Sequence, residues 1–448
     1  MRENIARQPP LVASAIDHEH AAELARMSEV LRGLRGAAAR VTQDLVSGVQ
    51  HRHLGRVGMS GDQVLRALVL KQLTGFSYAQ LAFHLADSTT YRRFCGLGVD
   101  GWAPSASTLQ SNIKRVRPET LAWIHRRLVN KAVALKIEDG ATVRMDSTVV
   151  ATNIHHPNDS SLLRDSVRVL CRLLGRVQQF VEVRFHDHNR RATRRALGIS
   201  NAKSMRKRVP LYRDLLKVTG RTLGYARNAV AALARLRTRG ARALRAELQQ
   251  AAALVSRVID QTHRRVFLGE NVPAQDKIVS LFEPHTDILV KGGRDTEYGH
   301  KVFVSTGRSG LIVDVTIERG NPADSSQVQP LLRRHRQLFG EVPRQVTLDA
   351  GFASRANQQM LVAMGVTDAA FAKNSSFDVM QSVSGTDVHR ELVRLRAGIE
   401  ASISWLKRCF GWSRCGWSGF DSFKAYTLAS ALAANLLLVA RAIRPRFG

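Results

Sequence analysis

The feature that most constrains the fold is a change of texture at Ala141. Residues 141–153, ATVRMDSTVVATN, are rich in β-branched side chains and lie between two long stretches of helical periodicity. Val143, Met145, Thr148 and Val150 suit a buried strand. Asp146 falls inside that strand, where a carboxylate is expensive unless it binds something. The chain therefore needs a sheet around this strand, with an acid built into it.

Strand texture returns at Ile288. Residues 301–306 (KVFVST) and 311–318 (LIVDVTIE) read as a hairpin turning through 307–310. A helix over 326–339 follows, then a strand over 345–348 that leads into Asp349. Further on come a helix over 354–364, a short strand over 366–371, and final helices over about 392–409 and 422–443. With the intervening helical stretch removed, the reading is a five-stranded mixed sheet with flanking helices, in the strand order of the ribonuclease H type. Phosphodiester chemistry by two metal ions needs three carboxylates, which this topology supplies from its first strand, the end of its fourth strand and a late helix. Asp146 and Asp349 stand at the first two places. A helix-capping role also suits Asp349. Glu400, in RLRAGIEASISWLKR, shares a helix face with Arg396 and Lys407, a spacing that an exposed ion-pair ladder shows as well. Trp405 on the same helix reads as core packing in preference to stacking on a displaced base.

Charge points to the partner. Lys and Arg number 67 against 37 acids, a net charge of +30, and such a chain attracts polyanions, nucleic acid above all. Residues 160–268 are helical and carry 25 Lys and Arg against 6 acids, a net of +19, so about two thirds of the excess sits there. The densest cluster is Arg190, Arg191, Arg194, Arg195, Lys203, Arg206, Lys207 and Arg208. It reads as a phosphate-tracking surface, the alternative being arginines that pair within the insert.

Before Ala141 the chain reads as helices. Residues 61–73 place Val64, Leu65, Leu68, Val69 and Leu73 on one stripe, Ser77 starts a second helix, and Ser88 caps a third through Phe94. The pattern suits a helix-turn-helix-like module and equally a plain bundle. At 448 residues, 44% hydrophobic and 23% charged, two to four folding units are expected and global disorder is excluded. Four cysteines form no CxxC pair and no zinc spacing, as in a reduced compartment. Residues 1–12 lack the apolar run of a leader. The uncharged stretch 425–440 is short of the roughly 20 residues a bilayer needs and reads as a core helix. His155-His156 reads as a loop or DNA contact in preference to zinc ligands.

The chain resembles DDE-type insertion-sequence transposases, most closely the ISNCY group, over nearly its whole length. GFSYAQLAFHLADSTTYRRFCGLG looks like their helical amino-terminal segment. MDSTVVATNIHHPNDSSLLRD looks like the block of the first catalytic Asp, and VTLDAGFAS like that of the second. Arg396, Glu400 and Lys407 are in register with a Tyr-Arg-Glu-Lys signature, whose Tyr position holds Val393. The resemblance implies Asp146, Asp349 and Glu400 as catalytic ligands of two Mg²⁺ ions, with Mn²⁺ able to substitute. It implies cleavage at transposon ends and strand transfer into target DNA, with Arg396 and Lys407 on phosphates near the cut. The expected division is a helical DNA-binding or dimerisation domain over 1–140, the first part of a ribonuclease H-like core over 141–159, the basic insertion over 160–268, and the rest of the core over 269–448. Terminal inverted repeats and target duplex are the expected partners. A homodimer on DNA, in the cytoplasm at the nucleoid and off the membrane, is expected. A nuclease without strand transfer and a domesticated, non-catalytic DNA-binding protein are the rivals; the latter predicts a lost carboxylate, and all three are present.

Overall fold

The computed structural model describes residues 18–49, 58–98, 102–290, 295–371 and 382–443; the segment 1–12, read above for a leader, lies outside them. The chain divides into two compact units, Met1–Ala151 with His300–Gly448, and Thr152–Gly299.

The first unit begins with helices α1 (Glu19–Arg32), α2 (Ala37–Val46), α3 (Gly61–Thr74), α4 (Tyr78–Asp87), α5 (Thr89–Phe94), α6 (Ala106–Ile113) and α7 (Pro118–Ala134). Their starts are written in the sequence. Ser60 with Gln63, and Ser77 with Gln80, form capping boxes at α3 and α4, each satisfying backbone groups that the first turn leaves unpaired. Gly75 closes α3 at φ 69°, a left-handed conformation that favours glycine. Ser88 caps α5 as the sequence indicates.

The sheet contains β1 (Thr142–Ala151), β2 (Asp287–Leu289), β3 (Glu297–Gly307), β4 (Ile312–Ile317), β5 (Gln345–Leu348) and β6 (Asp368–Phe371). Its order is β2-β3-β1-β5-β6, and β4 pairs with β3 antiparallel over Val302–Thr306. Without β2, the order β4-β3-β1-β5-β6 is the expected ribonuclease H-type arrangement. The sixth strand, β2, was not expected: it covers three residues against Glu297–Gly299, too few for any period to register. β5 has the expected bounds. It runs parallel to β1 and β6, because α12 (Val328–Phe339) and α13 (Arg355–Ala363) carry the chain back between β4, β5 and β6. β1 is buried along nearly all its length, as a central strand covered on both faces should be.

Two closing helices complete this unit. α14 (Thr386–Cys409) lies across β1, β5 and β6, and α15 (Phe420–Ala442) packs against α1, α3, α7 and β4. α15 is long and apolar enough to cross a membrane, but 89% of its apolar window is buried inside the protein. It is the core helix read from the sequence. Its one buried amide, Asn435, accepts from the Ile312 N–H at 2.9 Å and donates to the Ile312 carbonyl at 2.7 Å, so the polar group costs little there.

The second unit is a bundle of α8 (Asp159–Val177), α9 (Asn189–Asn201), α10 (Met205–Leu233) and α11 (Arg239–Phe267), together with β2. Leu170, Leu174, Leu223, Leu244 and Val255 form one of its apolar cores. The four helices fill the stretch 160–268 read as a basic helical insertion.

Candidate active site

Met145 of β1 pairs with Leu348 of β5, and both side chains are buried. Asp146 and Asp349 each follow one of these residues. Asp146 lies within β1 and Asp349 just past the end of β5, so the two stand side by side on neighbouring parallel chains, at the strand spacing of about 4.8 Å. Asp146 is the half-buried position within the buried run of β1, and its Oδ1 accepts from the Ser147 N–H at 2.6 Å. Asp349 is extended (φ −74°, ψ 164°) and hands the chain to a single 3-10 turn, Ala350–Phe352. The glycine of that turn supplies room: a β-carbon at 351 would lie 2.7 Å from Oδ2 of Asp324, which is paired with Lys301 at 3.1 Å.

The third carboxylate comes from α14. The Arg396 guanidinium bridges Asp349 at 3.4 Å and Glu400 at 3.0 Å. Glu400, Asp146 and Lys407 line one open groove with Ser404 and Arg408. The structure thus brings Asp146, Asp349, Glu400, Arg396 and Lys407 to one end of the sheet. Arg408 is a groove residue that sequence reasoning missed, since the last turn of a basic helix carries Arg for many reasons. Val393, at the signature's Tyr position, is exposed on α14.

A second missed residue lies beneath the site. Arg144, two positions before Asp146, is only 5% exposed. Its guanidinium donates to Thr306 Oγ1 at 3.1 Å, to the Gly307 carbonyl, and to the Leu395 carbonyl of α14 at 3.3 Å. Burial lowers its pKa, and Glu138 opposes that shift. Arg144 ties the strand of the first Asp to the helix of the Glu. No pattern betrays it, because an Arg in a strand reads as an exposed position.

The donor set fits divalent ions. All three donors are carboxylates, the hard oxygen ligands that Mg²⁺ and Mn²⁺ take, and two of them already close on a single cationic group. Among the described residues no three His, Cys, Asp or Glu side chains converge tightly enough to coordinate an ion. Like charges repel, and Arg396 draws Asp349 and Glu400 onto itself. His155 sits 3.4 Å from the buried Asp165 and His156 packs edge-on to Tyr298, and neither belongs to a metal cluster among the described residues. Trp405 packs against Phe410 and the core.

The basic cluster of the second unit divides in two. Arg191 and Arg195 of α9 each meet Asp214 of α10 at 2.5 Å, and Arg191 above all holds that carboxyl below its usual range. Arg208 donates to the Ala202 carbonyl at 2.9 Å. Arg190, Arg194, Lys203, Arg206 and Lys207 are exposed and have no carboxylate partner among the described residues.

A mixed sheet in this order, with one acid inside the central strand, a second just past the end of the strand beside it and a third on the helix across them, defines the class: a ribonuclease H-like domain of the DDE kind. Residues 290–436 match the family described as Transposase DDE domain, and residues 14–115 match Transposase domain (DUF772). The chain is an insertion-sequence DDE transposase, from a group of enzymes that act on DNA and use divalent metal ions. The first match takes in Asp349 and Glu400, while Asp146 and the basic bundle lie outside both. The ISNCY group is a finer assignment than these matches make. No curated protein and no solved structure matches the chain.

Proposed function

We propose that this transposase cuts DNA at the ends of its element and joins the freed 3′ ends to target DNA, with Asp146, Asp349 and Glu400 as ligands of two Mg²⁺ ions, Mn²⁺ substituting. The observation that carries the reading is the parallel register of β1 and β5, which sets two aspartates side by side beneath a helix bearing Glu400. Bound ions supply a lowered pKa at the attacking oxygen and charge stabilisation at the leaving 3′-oxygen of an in-line displacement. Every other task falls to the chain. The two strands hold Asp146 and Asp349 rigid, and Arg144 holds α14 at its working distance. Arg396 keeps Asp349 and Glu400 together, and once those charges are otherwise neutralised its planar fork turns to a phosphate. Lys407 places a point charge on the groove for the neighbouring phosphate. No covalent intermediate with the protein is required, so no nucleophilic side chain is needed.

Within the basic insertion, Arg190, Arg194, Arg206 and Lys207 track the phosphates of flanking DNA, with Arg191, Arg195 and Arg208 completing the surface. Residues 1–140 serve as the helical DNA-binding or dimerisation part, 141–159 and 269–448 as the catalytic core, and 160–268 as the basic insertion. The partners are terminal inverted repeats and target duplex, bound by a homodimer, because coupled insertion requires two ends to be held together. The working place is the cytoplasm, at the nucleoid. A joining assay with pre-cut ends in Mg²⁺ tests the reading. Joined product that requires all three carboxylates is expected. Hydrolysis without joining marks a nuclease, and binding with neither reaction marks a non-catalytic DNA-binding protein.

A further inference from the structure

We infer that α6 is the helix that reads base sequence, through the exposed stripe Ser107, Gln110, Ser111 and Lys114. The inference rests on the proposed DNA-end binding and adds to it the element that discriminates one sequence from another.

α6 packs against α3 and α4, with Leu109 and Ile113 completely buried beneath it. Ser105 caps its start by accepting from the Thr108 N–H at 3.2 Å. The opposite side is open: Ser107, Gln110, Ser111 and Lys114 are all exposed, and their spacing of three and four places them on one face. A helix with its side chains is about 10–12 Å across, which the major groove, roughly 12 Å wide, admits. Among the described residues the Gln110 amide has no partner. Gln pairs in bidentate fashion with the adenine edge, and Ser bonds to either kind of base. In a chain so rich in arginine, this stripe is neutral until its last turn. Neutral donors and acceptors are what base edges require, and charge is what phosphates require.

The neighbouring helix α4 makes the contrast. The helix-turn-helix reading of the sequence places α4 after the turn at Gly75, yet its outward residues are Ala79, Phe83, Ala86 and Asp87. Gln80, its one amide, is committed to the capping box with Ser77. An apolar face ending in an acid does not suit a polyanion. At the far end of α6, the exposed Arg115 and Arg117 are held by the Leu45 carbonyl and by Ser47 and Asp44, whereas Lys114 has no hydrogen-bond or ion-pair partner among the described residues. Lys71 does not add to that face: its ammonium donates to the Phe76 carbonyl at 2.9 Å and lies over the Tyr78 ring.

The test uses the full-length protein and two duplexes, one carrying the DNA end that flanks its gene and one a shuffled sequence of equal composition. The triple variant Ser107→Ala, Gln110→Ala, Ser111→Ala should lower the affinity ratio between the duplexes by tenfold or more, since a good bidentate pair discriminates by about 5- to 150-fold. Its affinity for shuffled DNA should stay within about twofold. Lys114→Ala should weaken both duplexes equally and reduce the salt slope by roughly 0.9. All four positions are exposed, so an unchanged melting temperature is expected and is checked alongside. A wild type that discriminates, with a triple variant that discriminates as well, overturns the role of α6 alone. A wild type that treats the two duplexes alike overturns the DNA-end reading and this inference with it.

Discussion

Gly398→Ala offers a sharp test of how the catalytic helix is held. Gly398 lies in the interior of α14, two residues before Glu400. On an open helix face, replacing Gly by Ala stabilises by about 1 kcal/mol. Here a new β-carbon would overlap Nη1 of Arg144 and lie 3.1 Å from its Cζ. An arginine tip usually swings away at little cost, but this one is buried and held by Thr306, Gly307 and Leu395. Overpacking of that kind costs about 1–3 kcal/mol, which exceeds the gain in helix propensity. The expected net effect is a loss of up to about 2 kcal/mol, together with reduced cleavage because Glu400 moves with the helix. In an Arg144→Met background the overlap disappears, and the same substitution should stabilise by up to about 1 kcal/mol. All five tryptophans (102, 123, 405, 412 and 417) belong to the first unit. Denaturant unfolding followed by tryptophan fluorescence therefore reads that unit alone. The decisive outcome is the change of sign across the four proteins of the cycle; stabilisation by Gly398→Ala in both backgrounds would refute the reasoning.

Other substitutions separate chemistry, stability and binding. Asp146→Asn, Asp349→Asn and Glu400→Gln should each cut cleavage at least about 100-fold, the scale of a lost transition-state contact, with DNA affinity within a few-fold; a mutant keeping more than about a tenth of wild-type cleavage leaves the triad. Glu391→Gln should preserve cleavage and change stability by less than about 0.5 kcal/mol, since its pair with Arg308 at 2.7 Å is exposed on both sides; a dead Glu391→Gln beside an active Glu400→Gln would exchange their roles. Burial pushes the His125 and His335 imidazoles down to about 4, so between pH 6.5 and 4 the unfolded chain binds more protons; stability is full above pH 6.5 and falls with pH, by about 2 kcal/mol per histidine at pH 5, and unfolding of His335→Asn at pH 7 and pH 5 should show a weaker dependence than wild type. Arg190→Gln with Arg194→Gln should lower the salt slope of DNA binding by about 1.8, whereas Arg191→Gln with Arg195→Gln should chiefly lower the melting temperature by breaking the α9–α10 tie at Asp214; the opposite pattern would assign the two pairs the other way round.

Much of the fold was legible because its signals are local. Strand-like runs marked β1, β3, β4 and β5, serines marked the starts of α4 and α5, and the acid inside β1 announced a candidate site. Asp349 stood out as a candidate by its place at a strand end, and Glu400 by its register with Arg396 and Lys407 in the transposase resemblance. What stayed hidden depends on partners distant in sequence. Arg144 meets Leu395, 251 positions away. Arg195 meets Asp214 across a turn between helices, 19 positions away. β2 is three residues long and exists only because β3 extends beyond its hairpin to receive it.

The same distinction governs how the net charge of +30 is to be interpreted. Counting treats every arginine alike, but the structure gives them different work. Arg144 spends its charge inside the sheet, Arg396 on two carboxylates, Arg191 and Arg195 on Asp214, and Arg66 on Asp62 at 2.7 Å. A guanidinium that already holds a carboxylate releases few counterions when DNA arrives, because its field is largely cancelled. The salt dependence of binding should therefore follow the exposed cations that have no carboxylate partner among the described residues, such as Arg190, Arg194, Lys203, Arg206 and Lys207, and fall well short of the formal excess of +19 in the insertion. Sequence discrimination requires the opposite chemistry, neutral groups in fixed positions, and α6 presents such a stripe. On this proposal affinity and discrimination should rest on different residues of different kinds. High salt should abolish the first while leaving the ratio that measures the second nearly unchanged.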